Sequence, residues 1–428
     1  MQPITDIDLL GQKLADITDS LPWLLPEAVL AGLLLLLLLT DLIAGRRGAY
    51  WLISLAALGF LLHWYTLFLQ WQQIGLLREA PVVLDMLQPD GTSVYFRGLF
   101  SLGGLLAVLL SAHYRSRADP VSGIALRKVG EFYVILCGLL LGASLLVMSV
   151  NLLMIYLSIE VISICSYILT NFNFDKKSAE AGIKYLLFGG VASGLMLYGM
   201  SLLYGFSGSL HLDASLAIAV GQVPFVLVAL ALLLVAAGLL FKISAVPFHI
   251  WAPDVYEGAP TPVVAVFSVV PKLAGIAILL RFSGFFDLLS EQLLLLDWQW
   301  VVSVFAITTI VVGNFAALSQ RNAKRMMAYS SIAHSGFLLV GVVAYSDYGL
   351  SSILFYAGTY LFMNFAAFLL IKMISQETGK ELMEEYKGLG RRFPLLGILM
   401  LLVMLSLTGL PPTAGFTAKL LIFSSLWQ

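Results

Sequence analysis

Twelve stretches of about 20 consecutive apolar residues recur along this chain, and they limit its fold more than any other feature. They fall near 24–44, 50–69, 95–113, 131–149, 152–172, 181–204, 225–253, 262–281, 299–317, 326–345, 350–373 and 394–428. At 1.5 Å per residue such a stretch matches the ~30 Å hydrocarbon core of a bilayer. No water is available there, so each segment must satisfy its own backbone polar groups and is expected to be a helix. Composition agrees: 60% of the 428 residues are hydrophobic and 11% charged, against about 25% charged in soluble domains. The expected fold class is therefore an all-α polytopic membrane protein, in contact with lipids. A net charge of −1 gives no reason to expect a nucleic-acid partner. Cys137 and Cys165 match no zinc, iron–sulfur or haem-attachment spacing, so no metal is expected. There is no Walker A loop and no GxGxxG following a strand, so no nucleotide cofactor is expected in this chain either. The first apolar run begins near Leu21 without an A-x-A cleavage pattern, and it reads as a retained helix rather than a signal peptide.

Basic residues set the orientation. The odd-numbered loops hold Arg46, Arg47, Arg115, Arg117, Arg127, Lys128, Lys176, Lys177, Arg321, Lys324, Arg325, Lys372, Lys380, Lys387, Arg391 and Arg392. The N-terminus and even-numbered loops hold only Lys13, Arg78 and Arg97. The split places the odd loops in the cytoplasm and the N-terminus outside the cell's inner (plasma) membrane.

Two spans read as interrupted. The seventh runs through Lys242 and Pro247 into Ala252-Pro253-Asp254-Val255-Tyr256-Glu257-Gly258. As one helix, 225–253 would be about 43 Å long, too long for the core, and a break near Lys242 to Pro247 resolves this. Asp254 and Glu257 are then expected in the loop that follows. The twelfth span is interrupted at Gly409-Leu410-Pro411-Pro412-Thr413-Ala414-Gly415, shortly before Lys419. Spans four to eight and nine to twelve each place a broken helix fourth, which points to a transporter built from inverted repeats. The expected division is 1–120 (three helices), 121–290 (first repeat) and 291–428 (second repeat).

A charge at the bilayer centre costs roughly 2.5–3.5 kcal/mol on insertion scales. Glu160, Lys242, Lys272 and Lys419 lie deep in apolar runs, and Lys184 about two turns inside the sixth. Each alone reads as a snorkelling or packing pair; as a series they read as a proton path. Burial disfavours a charged lysine and a nearby carboxylate favours it, so a carboxylate–lysine pair that opens and closes moves a proton on and off the amine. His249, seven residues after Lys242, and His334 fit as relays. His63, His113 and His211 are assigned no role.

The stretch Phe241-Lys242-Ile243-Ser244-Ala245-Val246-Pro247-Phe248-His249-Ile250-Trp251-Ala252-Pro253-Asp254-Val255-Tyr256-Glu257-Gly258-Ala259-Pro260-Thr261-Pro262 resembles the signature of the antiporter-like subunits of respiratory complex I. Leu157–Ser163, Glu180–Tyr185, Ala328–His334 and Gly415–Lys419 add to the resemblance, which runs from about the fourth span to the chain end. Within that family, a lysine at 419 resembles the subunit N branch, since a glutamate is expected there in the M-type. The resemblance implies two inverted five-helix repeats in a fourteen-helix fold and one proton channel, with the thirteenth and fourteenth helices not covered by this chain. It implies a Glu160–Lys242 pair, a central axis continued by Lys272 and His249, a second half-channel served by Lys419, and support of the first by Lys184. It also implies that flavin, iron–sulfur clusters and quinone are held by other subunits, and that the partners are the other membrane subunits, including neighbouring antiporter-like ones. Electron donors in such assemblies are NADH or ferredoxin. The rival readings are a subunit of a multi-subunit cation/proton antiporter and a non-conducting scaffold.

Overall fold

The computed structural model describes residues 11, 14–15, 17–44, 49–73, 83–112, 129–290, 297–379 and 381–427. Its long helices are α1 (Leu25–Ala44), α2 (Ala49–Gln72), α3 (Gly91–Ala112), α4 (Val129–Met148), α5 (Leu152–Thr170), α6 (Lys176–Ser207) and α7 (Phe225–Ile243). They continue as α8 (Trp251–Gly258), α9 (Thr261–Ser290), α10 (Trp298–Leu318), α11 (Ala323–Ala344), α12 (Asp347–Thr378), α13 (Pro394–Thr408) and α14 (Ala414–Ser424). Eleven are long and apolar enough to cross a membrane among the described residues. The twelfth expected span is the pair α13 and α14, each too short to cross alone.

Helix starts follow local chemistry. Asn151, Asp175, Asp297, Asn322 and Ser346 each accept a hydrogen bond from a first-turn backbone N–H of the helix they precede. Small residues set the closest approaches. A Cβ on Gly199 of α6 would lie 2.6 Å from the Ala231 carbonyl oxygen of α7, and one on Gly313 of α10 would lie 2.6 Å from the Ala333 nitrogen of α11. Such positions let helices associate where apolar burial gives no net drive between them.

Helix α9 forms the axis of the molecule. Its most apolar stretch is 94% buried, whereas that of α10 is 17% buried. It packs against α3, α4, α7, α11 and α12. The first three helices join this body through α1, which packs on α4, and through α3: the Tyr95 hydroxyl donates to the Leu354 carbonyl of α12 at 2.9 Å, and Lys372 Nζ of α12 donates to the Leu110 carbonyl at 2.7 Å.

Several expectations are corrected. The seventh span ends at Ile243, and Asp254 and Glu257 lie in a helix, α8, rather than in a loop. Arg97 is not in a loop: it is fully buried inside α3, with its guanidinium 2.9 Å from Glu27 and 2.9 Å from Gln70. Lys372 likewise lies buried within α12, where it caps the carbonyl end of α3. Lys176, Lys177, Lys324 and Arg325 sit in the first turns of α6 and α11. Lys13, Arg46, Arg47, Arg78, Arg115, Arg117, Arg127, Lys128 and Lys380, all used in the orientation argument, lie outside the described residues, as does His113.

Candidate functional site

The first break begins where α7 runs out. Ser244 takes a left-handed conformation at φ +59°, and its N–H closes back on the Phe241 carbonyl. A proline at 247 then removes a donor. The freed groups find partners within the protein, as non-helical backbone at depth requires. Val246 N–H donates to Thr309 Oγ1 at 3.0 Å, and the Trp251 indole N–H donates to the Phe241 carbonyl at 3.1 Å. Trp251 opens α8 and stacks on Tyr185 with ring centroids 4.2 Å apart.

Lys242 is the second-last residue of α7, and it is 2% exposed. Its ammonium donates to Ser163 Oγ on α5 at 3.0 Å. Glu160 lies three residues earlier on α5. Its Oε1 is buried without a hydrogen-bond partner, and among the described residues it forms no ion pair. The expected Glu160–Lys242 pair is thus open here: lysine and carboxylate share a helix neighbourhood, with Ser163 as the acceptor. His249 lies in the break, half-buried, with Nδ1 lacking a partner.

The second group surrounds α9. Lys272, 1% exposed, donates to Ser331 Oγ of α11 at 2.6 Å. The same hydroxyl lies 2.8 Å from Tyr360 Oη and 3.2 Å from Tyr256 Oη. Three residues on, His334 Nδ1 hydrogen-bonds Tyr356 Oη, and the His334 ring packs 5.1 Å from that of Tyr360. Near the first break Phe241, Trp251 and Phe267 cluster on Tyr185, and Ile243 packs on the face of α9 at Gly275.

The third group is the second break. Gly409, at φ +81°, ends α13, and Thr413 caps α14. Lys419 reaches back from α14 to the last carbonyls of α13, donating to Leu407 at 2.9 Å and Thr408 at 3.1 Å. A helix C-terminus carries partial negative charge and suits an ammonium. The Phe337 ring lies 4.5 Å from the same nitrogen, and it packs 6.0 Å from the His334 ring.

Lys184 belongs elsewhere. Its side chain is 41% exposed and bridges Glu180 and Asp254, each at 2.9 Å. Arg325 bonds Asp254 at 2.7 Å and Glu257 at 3.1 Å, and Lys177 bonds Glu257 at 2.9 Å. Burial raises both carboxyls of α8, but their cationic neighbours outweigh it. Lys184 and Arg325 hold Asp254 below the usual carboxylate range, and Lys177 and Arg325 do the same for Glu257. This cluster ties α8 to α6 and α11 at one end of the helix bundle.

Lys272, His334 and the partly buried Lys419 are therefore linked through Ser331, Tyr360 and Phe337, while Lys242 is buried against Ser163 of α5 and Lys184 stands outside both groups. The acceptors Ser163, Ser331, Tyr256, Tyr356 and Tyr360 were not foreseen. Their only signal in the sequence is a hydroxyl one turn from a named residue, as in Ser163 after Glu160 and Ser331 before His334.

A family model described as "NADH:quinone oxidoreductase/Mrp antiporter, TM" matches residues 149–428, more than half of the chain. NAD(P)H-quinone oxidoreductase subunit 2 of Gloeobacter violaceus is 43% identical over 401 residues, covering 93% of this chain and 75% of that protein. NADH-quinone oxidoreductase subunit N 2 of Chloroherpeton thalassium is 39% identical over 411 residues, covering 94% and 78%. Among solved structures, a chain of respiratory complex I from Thermus thermophilus superposes with a TM-score of 0.77 at 34% identity, covering 94% of this chain and 83% of that one.

Proposed function

The chain belongs to the NADH:quinone oxidoreductase/Mrp antiporter transmembrane family, and on that premise we propose that it is a proton-translocating subunit in the membrane arm of an NADH–quinone oxidoreductase. Electrons pass from NADH to quinone in other subunits, which hold the flavin, the iron–sulfur clusters and the quinone. This chain's part is to carry protons when that chemistry shifts charge next to it.

One observation carries the reading. Two buried lysines, Lys242 and Lys272, and the partly buried Lys419 rest on hydroxyls or carbonyls instead of carboxylates. A lysine locked to a carboxylate holds its proton; a lysine on a neutral acceptor can give it up. Glu160 is the local regulator. When its carboxylate nears Lys242 the ammonium is held, and when it withdraws a proton can leave Nζ towards Lys272. The break at 244–250, where His249 sits, admits the water that such a transfer needs. His334 and Lys419 continue the path towards the second break, and Lys184 supports the first half only by holding α8 in place.

In this reading the odd loops face the cytoplasm, the N-terminus lies outside, and the membrane is the inner (plasma) membrane. Residues 1–120 form a three-helix unit, 121–290 one repeat and 291–428 the other. The partners are the remaining membrane subunits, neighbouring antiporter-like ones among them, and lipids.

The test replaces Lys242 with alanine in the assembled complex and measures electron transfer and proton uptake together in sealed vesicles. Loss of pumping, or of both activities, with assembly intact supports the reading. Normal rates of both would sink it and favour a scaffold that does not conduct.

A further inference from the structure

Ser331 has one hydroxyl and three polar neighbours, and that count has a consequence. A serine hydroxyl offers one O–H donor and two acceptor lone pairs. Around Ser331 Oγ stand Lys272 Nζ at 2.6 Å, Tyr360 Oη at 2.8 Å and Tyr256 Oη at 3.2 Å. Ser331, Tyr256 and Tyr360 are fully buried, so no solvent is available to complete an unmet bond.

Two arrangements fill all three positions. With Lys272 as an ammonium, the serine must accept from it; it then accepts from one tyrosine and donates to the other. With Lys272 as an amine, the nitrogen has a lone pair. The serine can now turn its hydrogen onto Nζ and accept from both tyrosines. Both states keep all three positions around Ser331 Oγ filled, where losing one such partner would cost about 1–3 kcal/mol. The two states differ in the direction in which the tyrosines' hydrogens point. Tyr360 packs against His334, the next titratable group, whose Nδ1 is hydrogen-bonded to Tyr356 Oη.

We propose that Ser331 is a positioning residue for Lys272: a hydroxyl switch that accommodates the lysine with or without its proton and passes that state to Tyr256 and Tyr360. This rests on the proton-carrying role given above. It requires no proton to cross Ser331, only the rotation of its O–H.

The test uses the assembled complex in sealed vesicles, reading protons moved per electron pair for Ser331→Ala, Ser331→Thr, Lys272→Ala, Lys242→Ala and the double variant Ser331→Ala/Lys272→Ala. Ser331→Ala should lower pumping roughly tenfold, the size expected for losing one hydrogen bond to a charged group. Ser331→Thr, which keeps the hydroxyl, should recover most of it. The double variant should be no worse than Lys272→Ala alone, because a residue acting through Lys272 has nothing left to act on. Equal loss in Ser331→Ala and Ser331→Thr would reveal a packing role and overturn the switch. Full pumping in Ser331→Ala alongside loss in Lys242→Ala would overturn it too, while leaving the function intact. Full pumping in Lys242→Ala would remove the function itself and the switch with it.

Discussion

The two broken helices place their lysines on opposite sides of the gap. Lys242 sits at the end of the first half, α7, and looks outward to a hydroxyl on another helix, Ser163 of α5. Lys419 sits in the second half, α14, and looks back to the carbonyl end of its own partner, α13. One lysine is tied to a neighbour and the other to itself. A charge shift on α5, where Glu160 lies, therefore reaches Lys242 directly, whereas Lys419 is held by carbonyls and a ring face that do not change charge. In the proposed function the first break responds and the second receives.

This contrast can be broken most sharply by comparing two alanine variants. Lys242→Ala should reduce pumping by roughly 10²-fold or more, the usual worth of a positioned proton-transfer group. Lys419→Ala should cost less, roughly tenfold, since the partners of Lys419 are carbonyls and a ring face with no carboxylate to regulate it. Proton uptake in vesicles ranks them, and a larger loss at Lys419 would reverse the assignment. Ser163→Ala comes next. It removes the hydroxyl that holds Lys242, so the pair with Glu160 should close and pumping should fall several-fold while electron transfer persists.

Backbone substitutions sharpen the comparison at a smaller scale. The left-handed residue of the second break is glycine, and Gly409→Ala should destabilise by about 1–2 kcal/mol. Its Cβ would also meet the Lys419 side chain at 2.9 Å. The corresponding residue of the first break is Ser244, whose hydroxyl is buried without a partner, so Ser244→Gly should leave the apparent Tm unchanged or higher. Differential scanning of the solubilised complex reads both.

The smallest effect belongs to the clamp on α8. Asp254 and Glu257 titrate below their usual range, so their contribution is complete above the unfolded values of about 3.9 and 4.3. It is lost only as pH falls through the lower folded values. Thermal stability should be flat from about pH 5 upward and decline below about pH 4. Asp254→Asn should blunt that decline by roughly 0.2–1 kcal/mol, as for partly exposed pairs.

Much of this was legible in the residues. A lysine in a run of leucines cannot be ignored, so Lys242, Lys272 and Lys419 stood out, and Pro247 and Gly409 marked the breaks. Arg97 and Lys372 misled because they lie near the ends of apolar runs, where a loop residue looks the same. Arg97's partner Glu27 is 70 positions away, and no local pattern reports that. Lys184 misled in the opposite sense: α6 starts at Lys176, and a charge two turns in still reaches a carboxylate on another helix end. Ser163, Ser331 and the tyrosines were invisible because an uncharged hydroxyl inside a helix barely alters hydropathy.

The two bonds between α3 and α12 have a mechanical meaning. Tyr95 and Leu110 are 15 residues apart on one helix, so the fastenings at Leu354 and Lys372 are separated by about 22 Å along it. One fastening would act as a pivot. Two at that spacing act as a splint, resisting both sliding and swivelling of the first three helices against the body. Rocking of one helix group past another, the means by which many transporters alternate access, would have to break both bonds at this seam. What remains free to move on it are side chains, hydrogens and water.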